Sequence, residues 1–240
     1  MKMNVKYYLC LMLILSSCAA PTASIITKST EQPLKLFKTK IDILEVNQFN
    51  NKFVLPINGI SLPKAKNLLP NAERKYRNGI HSGFDFIANY GTPVLASFDG
   101  IITYANPSYV DLDTKSYEHF LSVTKVLKKT PNDIYNHILL GKHIVIDHGF
   151  SVSKDYRVTT IYAHLSEIEK NFLLENRVVK KGDVIGYVGN SGTRFGSAGN
   201  KRGAHLHWEL HFENKNGKYY LGENISQQEL IKVSQIIFER

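Results

Sequence analysis

His205-Leu206-His207-Trp208-Glu209-Leu210-His211-Phe212 decides the fold class, because its polar and apolar residues alternate without a break. In an extended chain successive side chains leave on opposite faces, so Leu206, Trp208, Leu210 and Phe212 form one face that points into a core. His205, His207, Glu209 and His211 form the other. Two imidazoles one pleat apart can serve a single metal, although an isolated His-x-His is more often a polar face turned to water. A helical reading, with His207 and His211 at i and i+4, fails on the period of two, and the glutamate is not placed as a helical metal motif requires.

Working outward, the chain from Ile41 keeps the same texture of short apolar runs punctuated by Gly, Pro and Asn. It predicts strands at 53–55, 85–88, 93–96, 100–104, 143–147, 157–165, 184–188 and 205–212, hence a mainly antiparallel β domain. One stretch breaks the pattern. Residues 113–140 carry Tyr117, Phe120, Leu121, Val126 and Leu127, then Pro131, Ile134, Ile138 and Leu139, which is helical spacing and predicts a helix pair inserted between two strands, over about residues 106–141. Ser226 and Glu229 read as a capping box opening a C-terminal helix with Leu230, Val233, Ile236 and Ile237 on its apolar face. No internal repeat is present.

The 240 residues, 43% of them apolar, are enough for a buried core. Thirty Lys and Arg against 21 Asp and Glu give a net charge of +9, which suits a polyanionic partner: nucleic acid, anionic lipid or anionic cell wall. Nucleic acid has only that charge behind it, since no helix-turn-helix, finger or RNP pattern occurs and the cations are scattered. At the N-terminus, Lys2 and Lys6 precede an apolar run from Tyr7 to Leu15 that is too short to span a bilayer and reads as an export signal, residues 1–17. Leu15-Ser16-Ser17-Cys18 resembles a bacterial lipobox, in which Cys18 is acylated and becomes the first residue after cleavage. Processing there also removes Cys10 and so leaves no pair for a disulfide. Residues 18–45 are expected to form a tether, 46–225 the folded domain with its insertion, and 226–240 the terminal helix.

Two further clusters bear on chemistry. In Gly79-Ile80-His81-Ser82-Gly83-Phe84-Asp85 a straight chain would hold His81 and Asp85 about 13 Å apart at ~3.3 Å per residue, whereas ligand atoms of one zinc lie within ~4 Å of each other. Joint ligation therefore demands a sharp bend, which Gly79 and Gly83 permit. In Tyr162-Ala163-His164-Leu165 the expected strand puts Val158, Thr160, Tyr162 and His164 on one face. A lone histidine there is more often a satisfied core or edge residue.

Taken in order, His81-x-x-x-Asp85, Gly91-Thr92-Pro93-Val94, residues 144–149 (IVIDHG), Tyr162-Ala163-His164-Leu165, residues 179–186 (VKKGDVIG), Gly189-Asn190-Ser191-Gly192 and His205-Leu206-His207-Trp208-Glu209 resemble the lysostaphin and LytM type of zinc endopeptidase, which cuts peptidoglycan peptides. The resemblance covers about residues 53–212. It implies an antiparallel β domain of the duplicated-hybrid-motif type, with His81, Asp85 and His207 binding one Zn²⁺ and His164 and His205 acting beside it. With every one of these present, it implies an active enzyme, whereas regulatory relatives usually lack several. Three protein ligands would leave a fourth tetrahedral position open, the arrangement of a catalytic zinc. Glu209 and His211 are then candidates for supporting the ligands, with a solvated position as the alternative, and Tyr162 for contacting an oxyanion, with packing of its ring as the alternative. His119, His137, His143 and His148 match no family position and are read as structural.

The sequence departs from the family pattern in two places. The connection 193–204 is longer than the tight glycine-rich link usual before His-Leu-His and ends in Ala204 where proline is commoner. The insertion is the larger departure; it implies a lid over the groove or a docking surface for a regulatory protein. The expected partners are peptidoglycan stem or bridge peptides and, through Cys18, a membrane, with no nucleic acid. The rival reading is a binding or amidase-activator module that holds wall peptide without cleaving it. Ala19 after the cysteine lacks the aspartate that retains lipoproteins in an inner membrane, so a double-membraned cell would carry the protein on its outer membrane facing the periplasm.

Overall fold

The structure, a computed structural model, describes residues 34–39 and 43–238. The expected signal segment, Cys18 and the start of the tether lie outside those residues. In chain order the strands begin with β1 (Lys35–Lys38), β2 (Ile43–Glu45), β3 (Glu73–Arg74), β4 (Gly79–Ile80), β5 (Phe84–Ile87), β6 (Pro93–Leu95) and β7 (Gly100–Ala105). The inserted segment follows, with α1 (Thr114–Leu127) and α2 (Asn132–Ile134), the latter continued by a wider turn over Tyr135–Leu139. Then come β8 (Ile144–Gly149), β9 (Arg157–Ala163), β10 (Leu165–Ile168), β11 (Val178–Val179), β12 (Val184–Val188), α3 (Arg194–Ser197), β13 (His205–Asn214), β14 (Gly217–Tyr220) and α4 (Gln227–Ile237).

The main sheet runs β11-β7-β8-β9-β13-β14, with β5 also pairing to β13, and a second sheet runs β10-β12-β6. All pairings between these strands are antiparallel, so the fold is the mainly antiparallel β class that the alternation predicts. The inward face of β13 is buried as expected, with Trp208 fully enclosed and its ring 5.3 Å from Phe238, 6.2 Å from Phe84 and 6.3 Å from Phe53. β13 takes β9 on one side and β5 then β14 along the other, which makes it the strand around which the domain is assembled.

Three expectations need correction. The tether does not reach residue 45: β1 and β2 pair into a hairpin whose Leu36, Phe37 and Leu44 join the main core, Phe37 stacking on Tyr219 at 4.6 Å. Burial of these apolar side chains outweighs the polar residues between them. No strand forms over 53–55, where Phe53 makes only an isolated bridge to Phe238. The strand expected over 157–165 breaks in two at His164, which takes a left-handed conformation with φ 62°.

The inserted segment is helical as expected. Asp113 caps α1 by accepting from the Ser116 N–H, and Lys128 closes it in the left-handed conformation. Tyr117 and Leu121 of α1 pack with Ile134 and Leu139 into a small core of their own, and Leu140 continues that apolar surface onto Ile161 and Ala163 of β9. The segment thus lies on the same sheet face as His207. At the C-terminus the Ser226 hydroxyl caps α4 by accepting from the Glu229 N–H, while the Glu229 carboxylate receives the backbone N–H of Lys35 instead of closing the box.

Candidate metal centre

The register of the main sheet builds the site. His207 lies directly opposite Asp85 on β5 and opposite Ala163 on β9, so a carboxylate and an imidazole on one face meet as a cross-strand pair. The chain bends between β4 and β5 and returns His81 to the same point. Gly83 sits at that bend with an ordinary backbone angle; its requirement is space, since a Cβ there would meet the Trp208 carbonyl oxygen at 2.4 Å. The backbone of His81 is pinned by its N–H to the Ala72 carbonyl and its own carbonyl to the Asn71 N–H.

His81 Nε2, His207 Nδ1 and Asp85 Oδ1 form a triangle with sides of 2.9, 2.9 and 3.0 Å, and all three residues are buried. The remaining polar atoms of these side chains are engaged elsewhere. His81 Nδ1 donates to the Leu69 carbonyl at 2.9 Å, His207 Nε2 donates to Glu209 Oε1 at 2.7 Å, and Asp85 Oδ2 accepts from Arg74 at 2.8 Å. A carbonyl and a carboxylate only accept, so His81 Nε2 and His207 Nδ1 are the ring nitrogens left to hold a metal, the latter once the ring has given up its second proton. Three converging acceptors, two imidazoles and a carboxylate, form a donor set suited to a divalent cation such as zinc.

His164 and His205 stand beside this triangle, their ring centroids 4.7 Å apart, with His164 5.7 Å from the His207 ring and His205 Nε2 3.8 Å from Asp85 Oδ1. An extended strand would have sent His164 to the core face; its left-handed backbone turns it to the other one. His164 Nδ1 donates to the Ser191 carbonyl at 2.7 Å and His205 Nδ1 to the Gly203 carbonyl at 2.8 Å, leaving each Nε2 free to accept.

Tyr162 is not brought to the site. It pairs with Trp208 on the core face, and its hydroxyl accepts from the Ser97 N–H at 2.8 Å and faces Thr160. Glu209, by contrast, sits behind His207 and is only 1% exposed. Its Oε1 receives His207, Ser82 and Tyr135, and its Oε2 receives His211 Nε2.

Electrostatics follow from burial opposed by partners. Burial pushes the Asp85 carboxyl up, but His81, His207 and their hydrogen bonds outweigh it and hold the group well below the usual carboxylate range. Glu209 is likewise held well below its ordinary value by His207 and His211 against burial. His207 is pushed up to about 9, burial being outweighed by its two carboxylate partners. Burial, reinforced by His205 and His207, drives His164 well below the ordinary histidine value, so its ring is neutral at pH 7.

A cleft of about 550 Å³ opens on these atoms, lined also by Arg74 and Tyr76, by Tyr117 and Leu121 of α1, and by Arg194 and Phe195 of α3. Sequence reasoning missed Arg74, Ser82 and Tyr135. Arg74 and Ser82 carry no pattern of their own. Tyr135 had one available signal, since it lies four residues before the buried Leu139 and shares its helical face.

The chain matches known proteins over this region. It is 32% identical over 130 residues to the DD-carboxypeptidase/endopeptidase Mpg of Neisseria meningitidis and, equally, of Neisseria gonorrhoeae, a stretch covering 54% of this chain but 20% of those relatives. The chain thus spans about a fifth of the length of the relatives it matches. Among solved structures, lysostaphin from Staphylococcus simulans aligns at 17% identity over 80% of this chain and 57% of its own, with a TM-score of 0.42. A mutant form of the catalytic domain of the prophage-encoded M23 protein EnpA from Enterococcus faecalis aligns at 23% identity over 59% of this chain and 75% of its own, with a TM-score of 0.35. These superpositions are too loose to carry any residue's role across. The family model described as Peptidase family M23 matches residues 79–219, a span that holds His81, Asp85, His164, His205 and His207. Since that match takes in more than half of the sequence, the chain belongs to peptidase family M23.

Proposed function

We propose that this chain is a zinc-dependent endopeptidase that hydrolyses peptide cross-links of bacterial peptidoglycan. Family membership supports the coarser statement, a metallopeptidase role connected with peptidoglycan. The observation that carries the finer one is the triangle of His81, Asp85 and His207, three converging ligand atoms at the floor of an open cleft beside two imidazoles with free Nε2 atoms.

In this reading His81, Asp85 and His207 hold Zn²⁺, which when bound polarises the scissile carbonyl and makes water nucleophilic near neutral pH. The rest falls to the protein. Arg74 keeps Asp85 Oδ2 occupied so that Oδ1 faces the site. Neutral His164 takes up a proton at Nε2 while its Nδ1–H stays fixed on the Ser191 carbonyl, which orients the ring. His205 is fixed the same way by Gly203 and, once its Nε2 has itself taken up a proton, gives that proton to the leaving amine or steadies the developing oxyanion with it. Both rings lie on the exposed side of the ligands, where a peptide in the cleft reaches them.

The test measures zinc content and turnover together on the purified chain, with products from defined muropeptides identified by mass spectrometry. His207→Ala and Asp85→Ala should lose both. His164→Ala and His205→Ala should keep about one zinc and lose turnover by about 10²–10⁴-fold. A wild-type chain that binds zinc and cleaves no muropeptide would leave a wall-binding module as the correct reading.

We further propose that Cys18 is acylated and tethers the enzyme to the cell envelope, at the outer membrane facing the periplasm in a double-membraned cell. The support is the sequence alone: two lysines, a short apolar run and Leu15-Ser16-Ser17-Cys18.

A further inference from the structure

The inserted segment does more than wall the cleft. Tyr135, the first residue of the wide turn after α2, directs its hydroxyl into the hydrogen-bond shell behind His207. That oxygen lies 3.2 Å from His207 Nε2 and 3.0 Å from Ser82 Oγ, and it donates to Glu209 Oε1. Ser82 Oγ donates to the same Oε1 at 2.8 Å. With His207 Nε2, three donors thus converge on one oxygen of a carboxylate that has almost no contact with water.

The position of that phenol is itself determined. The Arg77 guanidinium lies 4.9 Å above the Tyr135 ring. Arg77 in turn donates to Thr130 Oγ1 at 3.2 Å and to the Ile80 carbonyl at 2.8 Å, and the Thr130 hydroxyl returns a bond to the Arg77 carbonyl. Ile80 immediately precedes His81. The insertion is therefore fastened at one point to the strand that leads into a ligand and at another to the carboxylate that orients a second ligand.

We propose that Tyr135 is a positioning residue for His207, supplied by the insertion, and that metal retention depends on the insertion being docked. A buried carboxylate needs its lone pairs satisfied, and one that loses a donor turns to find another. Glu209 fixes which nitrogen of His207 carries the proton and how the ring is turned, so a shift in Glu209 is passed to Nδ1, the ligand atom. Partners of this kind behind a ligand are worth about 10–100-fold in metal affinity. The inference rests on His81, Asp85 and His207 being the zinc site, and its test separates the two.

Tyr135→Phe deletes one oxygen and keeps the ring under Arg77. Zinc affinity is measured on the full chain by competition with a chromophoric chelator, alongside thermal unfolding of the metal-free protein and the visible spectrum of the cobalt-substituted protein. Expected is a Kd for zinc raised about 10–100-fold with an altered cobalt spectrum. Glu209→Gln and the double variant complete a cycle: because both side chains act through one carboxylate, Tyr135→Phe should add little in the Glu209→Gln background. Wild type holding one zinc with an unchanged Kd in Tyr135→Phe overturns this inference alone, as do additive effects in the cycle. Wild type that holds no zinc overturns the reading of the site itself. Should Tyr135→Phe unfold at a markedly lower temperature, Ser82→Ala, which removes another donor to the same Oε1, must reproduce the raised Kd or the inference falls.

Discussion

In the proposed zinc enzyme a proton on His207 would compete with the metal for Nδ1. Held between Asp85 and Glu209, the ring of the metal-free protein titrates at about 9 against an ordinary 6.5. The stabilisation from the charged ring is therefore fully present below pH 6.5 and is lost as the pH rises through 9. Metal needs the same nitrogen bare, so below pH 9 each metal must displace that proton. Calorimetry in two buffers of different ionisation enthalpy should find about one proton released per zinc at about pH 7 and none above about pH 10, with apparent affinity rising about tenfold per pH unit in between. Release of no proton at neutral pH would mean that His207 is already neutral. Residue identities at this centre were legible in the sequence because ligands, bend and order coincide in one motif set. Tyr162 packs in the core, the alternative that the sequence left open for its ring; what the sequence did not show is that the left-handed turn at His164 sends these two residues to opposite faces.

Elements were legible where periodicity ran long enough to register. The ten residues of β13 and the eleven of α4 declare themselves, whereas the four and three residues of β1 and β2 are too short for any period to stand out, and only their burial in the common core identifies them. The insertion was legible as a helical stretch but not in its docking, since its apolar spacing does not say which surface it covers. Its small separate core makes it a unit that can loosen by itself. Leu121→Ala should remove about 2–5 kcal/mol from that unit. Hydrogen exchange should then quicken across 114–139 while amides of β8, β9 and β13 keep their protection; a uniform rise across both would show that insertion and sheet open together.

For the molecule as a whole, two links in the chain lie far apart in kind. The proposed envelope anchor rests on one cysteine, and Cys18→Ser should move the exported protein from the membrane fraction to the soluble one or leave it unprocessed; a wild-type protein found wholly soluble after export would remove the proposal. The metal centre, in contrast, is spread over the fold. Asp85 and His81 reach His207 across 122 and 126 positions of sequence, and they meet where β13 pairs with β5. Closing so long a loop is an entropic cost borne before any ligand set exists. Zinc held at the proposed site would accordingly not nucleate folding; it would lock the finished sheet. Added metal should leave the refolding rate where it was and slow unfolding by about tenfold for each ~1.4 kcal/mol of binding, so that a chain stripped of zinc by a chelator becomes short-lived before it becomes misshapen.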